Sequence, residues 1–471
     1  MKGYHFIKLS FLFFYAIACS GKNDEQNVNK YIDTTLTPKI AIIDTFQKGK
    51  VIGRVFCKAD PTQSYALYIP LKANLESLPV IYFFDSHGDG ALPLNKYKLL
   101  AEQYGFVFVG SNNSKNGNDL AMAKNIWNAM FEDSRDRANI NTNRVYVCGF
   151  SGGAKVATSI ALNHNQIKGV IANGAGSPEI TNAGNFNFSF TAVAGEGDLN
   201  MTDLVGITNS LDNSKTRHRI IFFDGIHEWA PESTMNDAFA ALQLDAMQQN
   251  LIPHNDTFIN NYIVESKKRI ANYLQMNNYL KAEIECKFSM SVLSGVTNDV
   301  EWFTKKHADI INNSSYEKEA EARQEILLKE QKIKENYELQ FQNGDTNYWT
   351  KTILDVKLKA KSQTPEGAMY KRLQAYLSLA FYSISNQLIN SNQNSEAKYF
   401  VNLYKLADVT NSEAWYFSAI INARDNNFKA AQNDLMKAVS LGFADKSRLM
   451  QQPEFQNSQI NLSEVESKIN R

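Results

Sequence analysis

The chain reads as an α/β fold with a mostly parallel sheet and helices on both faces, followed by an all-α C-terminal region. Three observations give that reading. Between residues 49 and 275, short β-branched and aromatic runs alternate with stretches of helical periodicity. The later runs are apolar continuously rather than alternately, as expected of parallel strands covered on both sides. Beyond about residue 275 the strand signal ends, and charged, helix-forming sequence takes over.

The strand candidates are VIGRVFC (51–57), SYALYIP (64–70), PVIYFFD (79–85) and FVFVG (106–110). They continue as RVYVCGF (144–150), GVIANG (169–174), FTAVAG (190–195) and HRIIFFDG (218–225). Between them Met122, Ile126, Met130 and Phe131 recur at helical spacing, as do Val156 and Ile160. Alternating β and α units require crossover helices, hence the parallel sheet.

At 471 residues the chain exceeds one ordinary core, which predicts two or three domains. Lys+Arg and Asp+Glu both number 49, so no global field favours nucleic acid, and no nucleic-acid partner is expected. The 44% hydrophobic and 21% charged content is that of a globular protein.

The N-terminus is a separate matter. Lys2 and Lys8 precede the apolar run 9–18, which is too short to span a bilayer and reads as a secretory signal. Ala16, Ile17 and Ala18 directly precede Cys19, and A-I-A-C resembles the lipobox of bacterial lipoproteins, with Ala16 where Leu is more usual. That resemblance implies a signal over 1–18, a lipidated Cys19, and a tether over 19–48. It places the chain on the bacterial envelope, anchored to the outer membrane or the cell surface. The alternative is an ordinary cleaved signal. Cys57, Cys148 and Cys286 lack the spacing of a disulfide framework or metal cluster. Cys148 reads as a buried core residue, and a Cys57–Cys286 bridge stays open.

Residues 276–362 read as a helical connector, whose densely charged stretch EKEAEARQEILLKEQKIKE (317–335) is best explained as a solvated helix. Over 363–471 an echo is visible. Ala397, Val401 and Tyr404 are each followed, 34 residues on, by Ala431, Leu435 and Ala438. With Trp415 and Ala419 these positions resemble tetratricopeptide repeats, although Ser418 and Asn422 stand where the repeat is usually apolar.

The chemistry centres on Gly149-Phe150-Ser151-Gly152-Gly153, between the strand RVYV and the helix AKVATSIAL. A chain that turns from strand to helix this sharply leaves the serine strained and its hydroxyl exposed. The flanking residues must be small enough for the backbones to approach. The following helix aims its N-terminal amides at developing negative charge. This G-x-S-x-G resembles the nucleophile elbow of α/β-hydrolases and makes Ser151 the candidate nucleophile.

The resemblance implies the chain order serine, acid, histidine. Of the later histidines, His218 begins an apolar strand, His254 follows Pro253, and His307 lies in the C-terminal part. His227, in DGIHEWAP just after the strand IIFF, can reach over the serine and is the candidate base. The acid should follow the preceding strand, where GEGDLNMTDL offers Glu196, Asp198 and Asp203. Asp198, after the G-E-G turn, is the choice, and Asp203 is the alternative. Asp224 reads as a turn residue. The role of Asp198 would be to hold the imidazole tautomer.

The oxyanion hole implied is the backbone N–H of Gly152 plus one from the loop Ser86-His87-Gly88-Asp89-Gly90, which resembles the H-G-x-G loop of esterases. Ser86 or a neighbour is the second donor. His87 stands too early in the chain order to be the base.

These stretches resemble the secreted esterase and polyhydroxyalkanoate-depolymerase-like branch, which includes feruloyl and acetyl-xylan esterases. The resemblance covers about residues 55 to 245. It implies cleavage of a small-molecule or polysaccharide-linked ester through an acyl-serine, with no cofactor and no metal. Two other readings remain. One is a serine peptidase on the same fold. The other is a non-catalytic scaffold whose helical repeats bind a partner protein.

Overall fold

The computed structural model describes residues 46–71, 77–177, 179–180 and 185–469. The signal segment, Cys19 and nearly all of the tether lie outside the described residues. What is described is an α/β sheet domain resembling the hydrolase fold, mostly parallel, followed by a large all-helical region, as the sequence predicts.

The eight predicted runs all form strands. These are β1 (Ile52–Phe56), β2 (Ser64–Tyr68), β3 (Leu78–Phe84) and β4 (Val107–Ser111), then β5 (Ile140–Phe150), β6 (Ile167–Asn173), β7 (Ser189–Gly195) and β8 (His218–Phe223). They make one sheet in the order β1-β2-β4-β3-β5-β6-β7-β8. The pairs β1–β2 and β2–β4 are antiparallel, and every later pair is parallel. The helices interleaved with these strands are α1 (Ala91–Tyr104), α2 (Leu120–Arg137), α3 (Gly152–Asn163), α4 (Met201–Ser210) and α5 (Glu232–Gln248).

The period of two along a strand explains the continuous apolar runs. Val80, Tyr82, Phe84, Val145 and Val147 pack with Trp127, Met130, Ala157, Ile160 and Leu204 of α2, α3 and α4. Their alternates Ile81, Phe83, Tyr146 and Cys148 pack with Leu94 and Tyr97 of α1 and Met235, Phe239 and Leu242 of α5. Each side chain so buried contributes about 1.5–3 kcal/mol. A polar residue at any interior position would therefore disrupt one face or the other.

α6 (Asp256–Gln275), α7 (Tyr279–Leu293) and α8 (Val300–Ile311) form a further core with the back of α5, through Leu244, Ile263, Ile270, Cys286, Val292 and Phe303. The bridge left open by the sequence is not made. Cys57 lies in the sheet core and Cys286 in this helical core, both free and buried. Burial foremost, with nearby carboxylates, pushes both thiols up to about 12.

α9 (Ser314–Asn343) is the charged stretch, and it is not solvated all round. Glu330, Tyr337 and Phe341 are buried, and Leu327 packs on the sheet core. Further helices follow as α10 (Thr346–Lys359), α11 (Pro365–Asn390), α12 (Asn394–Ala407), α13 (Ser412–Arg424) and α14 (Phe428–Ser440). All six residues of the 34-residue echo are buried. Ser418 and Asn422, the polar exceptions, both donate to Asp434 Oδ2, at 2.6 and 2.8 Å. Among the described residues no helix is long and apolar enough to cross a membrane.

Candidate active site

The carboxyl ends of β3, β5, β6, β7 and β8 converge on one edge of the sheet, where open α/β folds form their ligand crevices. Ser151 occupies the turn between β5 and α3 with φ 55° and ψ −123°. This left-handed backbone is costly for a side chain and is held by its surroundings. The Ser151 amide donates to the Asn173 carbonyl at 2.9 Å. A Cβ on Gly149 would collide with the Gly153 carbonyl, and one on Gly153 with the Phe84 carbonyl. The glycines two before and two after the serine thus permit the backbone contacts that strain it.

His227 lies on the loop after β8. Its Nε2 is 3.0 Å from Ser151 Oγ, and its Nδ1 is 3.0 Å from both carboxylate oxygens of Asp198. Asp198 is fully buried, whereas the His227 side chain keeps 27% of its surface exposed. The acid loop is laced to β8. The Glu196 amide donates to the Phe223 carbonyl, and the Gly197 amide to that of Gly225. Asp198 also accepts the Asn200 amide at 2.9 Å, which fixes the carboxylate plane. The Phe150 ring supports the imidazole at 4.8 Å between centroids. Ser151, His227 and Asp198 are therefore brought together.

The other candidates are not. Asp203, in the first turn of α4, and Asp224 face outward. Glu196 pairs with Arg323 at 3.3 Å. His218 bonds Thr216 and Asp212, His254 bonds Asp256 and Val296, and His307 bonds Glu283.

Ser86 is buried at the end of β3, beside the elbow through the register of Phe84 with Gly149. Its carbonyl accepts the Asn116 amide at 2.8 Å. Gly152 opens α3, and the Asn116 side-chain amide oxygen lies where a Cβ on Gly152 would point. The first helical residue and the Ser86 loop thus both contact Asn116, which lies between them. The His87 side chain is exposed and turns toward Asp85, 3.3 Å from its carboxylate. That contact raises the His87 imidazole above its ordinary range. Burial works to raise Asp85, but donors from His87 and Trp229 outweigh it and hold the carboxyl low.

Three further residues tie these loops together. Asn173, at the end of β6, accepts the Ala230 amide at 2.9 Å and donates to the Glu228 carbonyl at 3.3 Å, so it brackets the His227 loop. Trp229 Nε1 donates to Asp85 Oδ2 at 2.8 Å, which joins that loop to the Ser86 loop. A lone polar residue closing an apolar strand, as in GVIAN and PVIYFFD, was the available signal for Asn173 and Asp85. Among the described residues no group of His, Cys, Asp and Glu is arranged to hold a metal ion.

No family model matches the chain, and no curated protein does. Solved structures that align with it include esterases and a serine hydrolase. An esterase from the archaeon Pyrobaculum calidifontis aligns at 13% identity and TM-score 0.35, over 43% of this chain and 85% of that one. The fluorophosphonate-binding serine hydrolase F of Staphylococcus aureus aligns at 10% identity and TM-score 0.35, over 42% and 99%. A ferulic acid esterase aligns at 12% identity and TM-score 0.33, over 42% and 97%. At this degree of likeness, chemistry has to be read from the side chains of the chain itself.

Proposed function

We propose that the chain is a serine hydrolase that cleaves carboxylic esters through an acyl-serine intermediate. The observation that carries this reading is the continuous relay from Ser151 Oγ through His227 to Asp198, each link 3.0 Å, on a strained strand-to-helix turn.

In this reading Ser151 Oγ attacks the ester carbonyl while His227 Nε2 takes its proton. Asp198 accepts Nδ1–H, which fixes the tautomer and stabilises the imidazolium that forms. The developing oxyanion is held by the Gly152 amide and by Ser86 or a neighbouring amide. His227 then gives its proton to the leaving alkoxide, and a water repeats the cycle to free the acid. Ester rather than amide cleavage rests on the likeness of FFDGIHEWAP and of the Ser86–Gly90 loop to secreted esterases. The A-I-A-C motif supports anchoring at Cys19 to the bacterial envelope, and the 34-residue echo supports tetratricopeptide-like repeats that bind a partner protein.

The test is hydrolysis of a panel of short-chain and aromatic esters by wild type and Ser151→Ala. We expect the variant to lose at least about 10³-fold in kcat/KM. Equal turnover by both would contradict the assignment. For the anchor, Cys19→Ser should move the protein from the membrane to the soluble fraction. Unchanged fractionation would exclude lipidation there.

A further inference from the structure

From the packing of the helical region on the acid loop, we infer that Arg372 is a positioning residue for the Ser151–His227–Asp198 relay, an inference that rests on the serine-hydrolase reading. Arg372 lies on α11, 174 positions beyond Asp198, and is 2% exposed. Its Nε is 2.8 Å and its Nη2 2.6 Å from Glu330 Oε2 on α9, and Nη1 donates to the backbone carbonyl of Glu196. Lys334 completes the cluster 2.7 Å from the other oxygen of Glu330.

A buried guanidinium has a strict donor geometry and is costly to leave without acceptors. Here one of its acceptors is the main chain two residues before the acid. The loop is held from both sides. The end of β8 and the turn after it take its amides through the Phe223 and Gly225 carbonyls, and α11 takes its carbonyl through Arg372. Arg323 of α9 grips the Glu196 side chain and lies over the Phe222 ring at 5.2 Å. Lys371 fills the space beside Gly197, where an added Cβ would come within 3.1 Å of it. The charged groups around the acid loop are thus Glu196, Asp203, Glu228 and Lys155 from the sheet domain and Arg323, Glu330, Lys334, Lys371 and Arg372 from the helices. The helical region is therefore part of the machinery that sets the His227–Asp198 contact.

The test uses the full chain with Arg372→Gln, and with Arg372→Lys as a more conservative variant. Turnover is normalised to sites titrated by a fluorophosphonate probe, and the His227 imidazole is followed by NMR against pH. If Arg372 positions the acid, both variants lose kcat per titrated site, about tenfold for Gln and less for Lys, with KM within about twofold. The imidazole midpoint falls, because a displaced carboxylate stabilises its cation less. A purely structural role would lower thermal stability and the fraction of titratable sites only. An active wild type whose variants keep its turnover per site and its His227 midpoint would overturn the inference. Absence of any titratable serine in folded wild type would instead overturn the hydrolase reading, and the NMR midpoint would still decide the role of Arg372.

Discussion

Ser151 holds a backbone conformation that an ordinary side chain avoids, and its neighbours show why it stays there. Gly149 and Gly153 let three main chains meet, so Gly153→Ala should force the elbow apart and abolish both ester turnover and probe labelling. Normal activity in that variant would mean that the close approach to Phe84 is dispensable. The link between Trp229 and Asp85 is of another kind. Trp229→Phe leaves a buried carboxylate short of one donor, which should cost about 1–3 kcal/mol in denaturant unfolding. Because the folded Asp85 carboxyl is held low, that stabilisation is present above the unfolded pKa and fades as pH falls through the folded one. An equal loss in strong acid would contradict it. Activity should fall on the acid side, since a protonated imidazole accepts no proton from serine. A flat profile with chemistry limiting the rate would count against His227 as base. At this scale the sequence pointed to the three side chains that the structure brings together, because the proposed nucleophile, base and acid obey a chain order. It did not single out Asn173 and Asp85, because a polar residue closing an apolar strand, the signal they leave, does not say what it will bond.

At the scale of elements, the eight strands were legible because doubly covered strands must be apolar at every position. The length and charge of α9 were legible too, but its buried side was not, because Tyr337, Phe341 and Leu327 are outnumbered by charges. Helix ends show a shared device. Asn250, Asn277, Asn392 and Asn426 all take positive φ just past a helix and close it with paired amide bonds. Replacing Asn426 by Ala should cost about 1 kcal/mol, whereas Gly should be neutral or better, as thermal melts can show. The α5–α6–α7 interface has a pH dependence. Burial raises the Asp237 carboxyl to about 6, with Arg269 working against the rise and Glu285 adding to it. The folded state therefore keeps a proton that the unfolded chain releases near 4. That contribution favours folding in acid and is lost as pH rises from about 4 to 6. Linkage over such a shift amounts to about 3 kcal/mol. The Asp237 side chain is a quarter exposed and shares Arg269, so Asp237→Asn should stabilise by about 1 kcal/mol at pH 7. A benefit that did not shrink toward pH 4 would refute this origin.

Over the whole molecule, the sheet domain and the helical region meet through Leu327, Arg323 and the buried Arg372–Glu330 pair. The sequence separated the two parts correctly by class, since helical and strand periods differ. It gave no sign that they touch at the Asp198 loop, because the Arg372 and Glu196 contact joins positions 176 apart and involves a backbone carbonyl. Cys57 and Cys286 lie in different cores, so reductant should leave the melting temperature unchanged, and a clear downward shift would indicate a bridge. The central claim is that Ser151 is the nucleophile of this assembly. Its most direct test is to treat the folded chain with a fluorophosphonate probe and map the adduct by peptide mass spectrometry. We expect one adduct, on Ser151, that is absent from Ser151→Ala and greatly slowed in His227→Ala. A folded wild type that takes up no probe, or takes it up at another residue, would contradict the account.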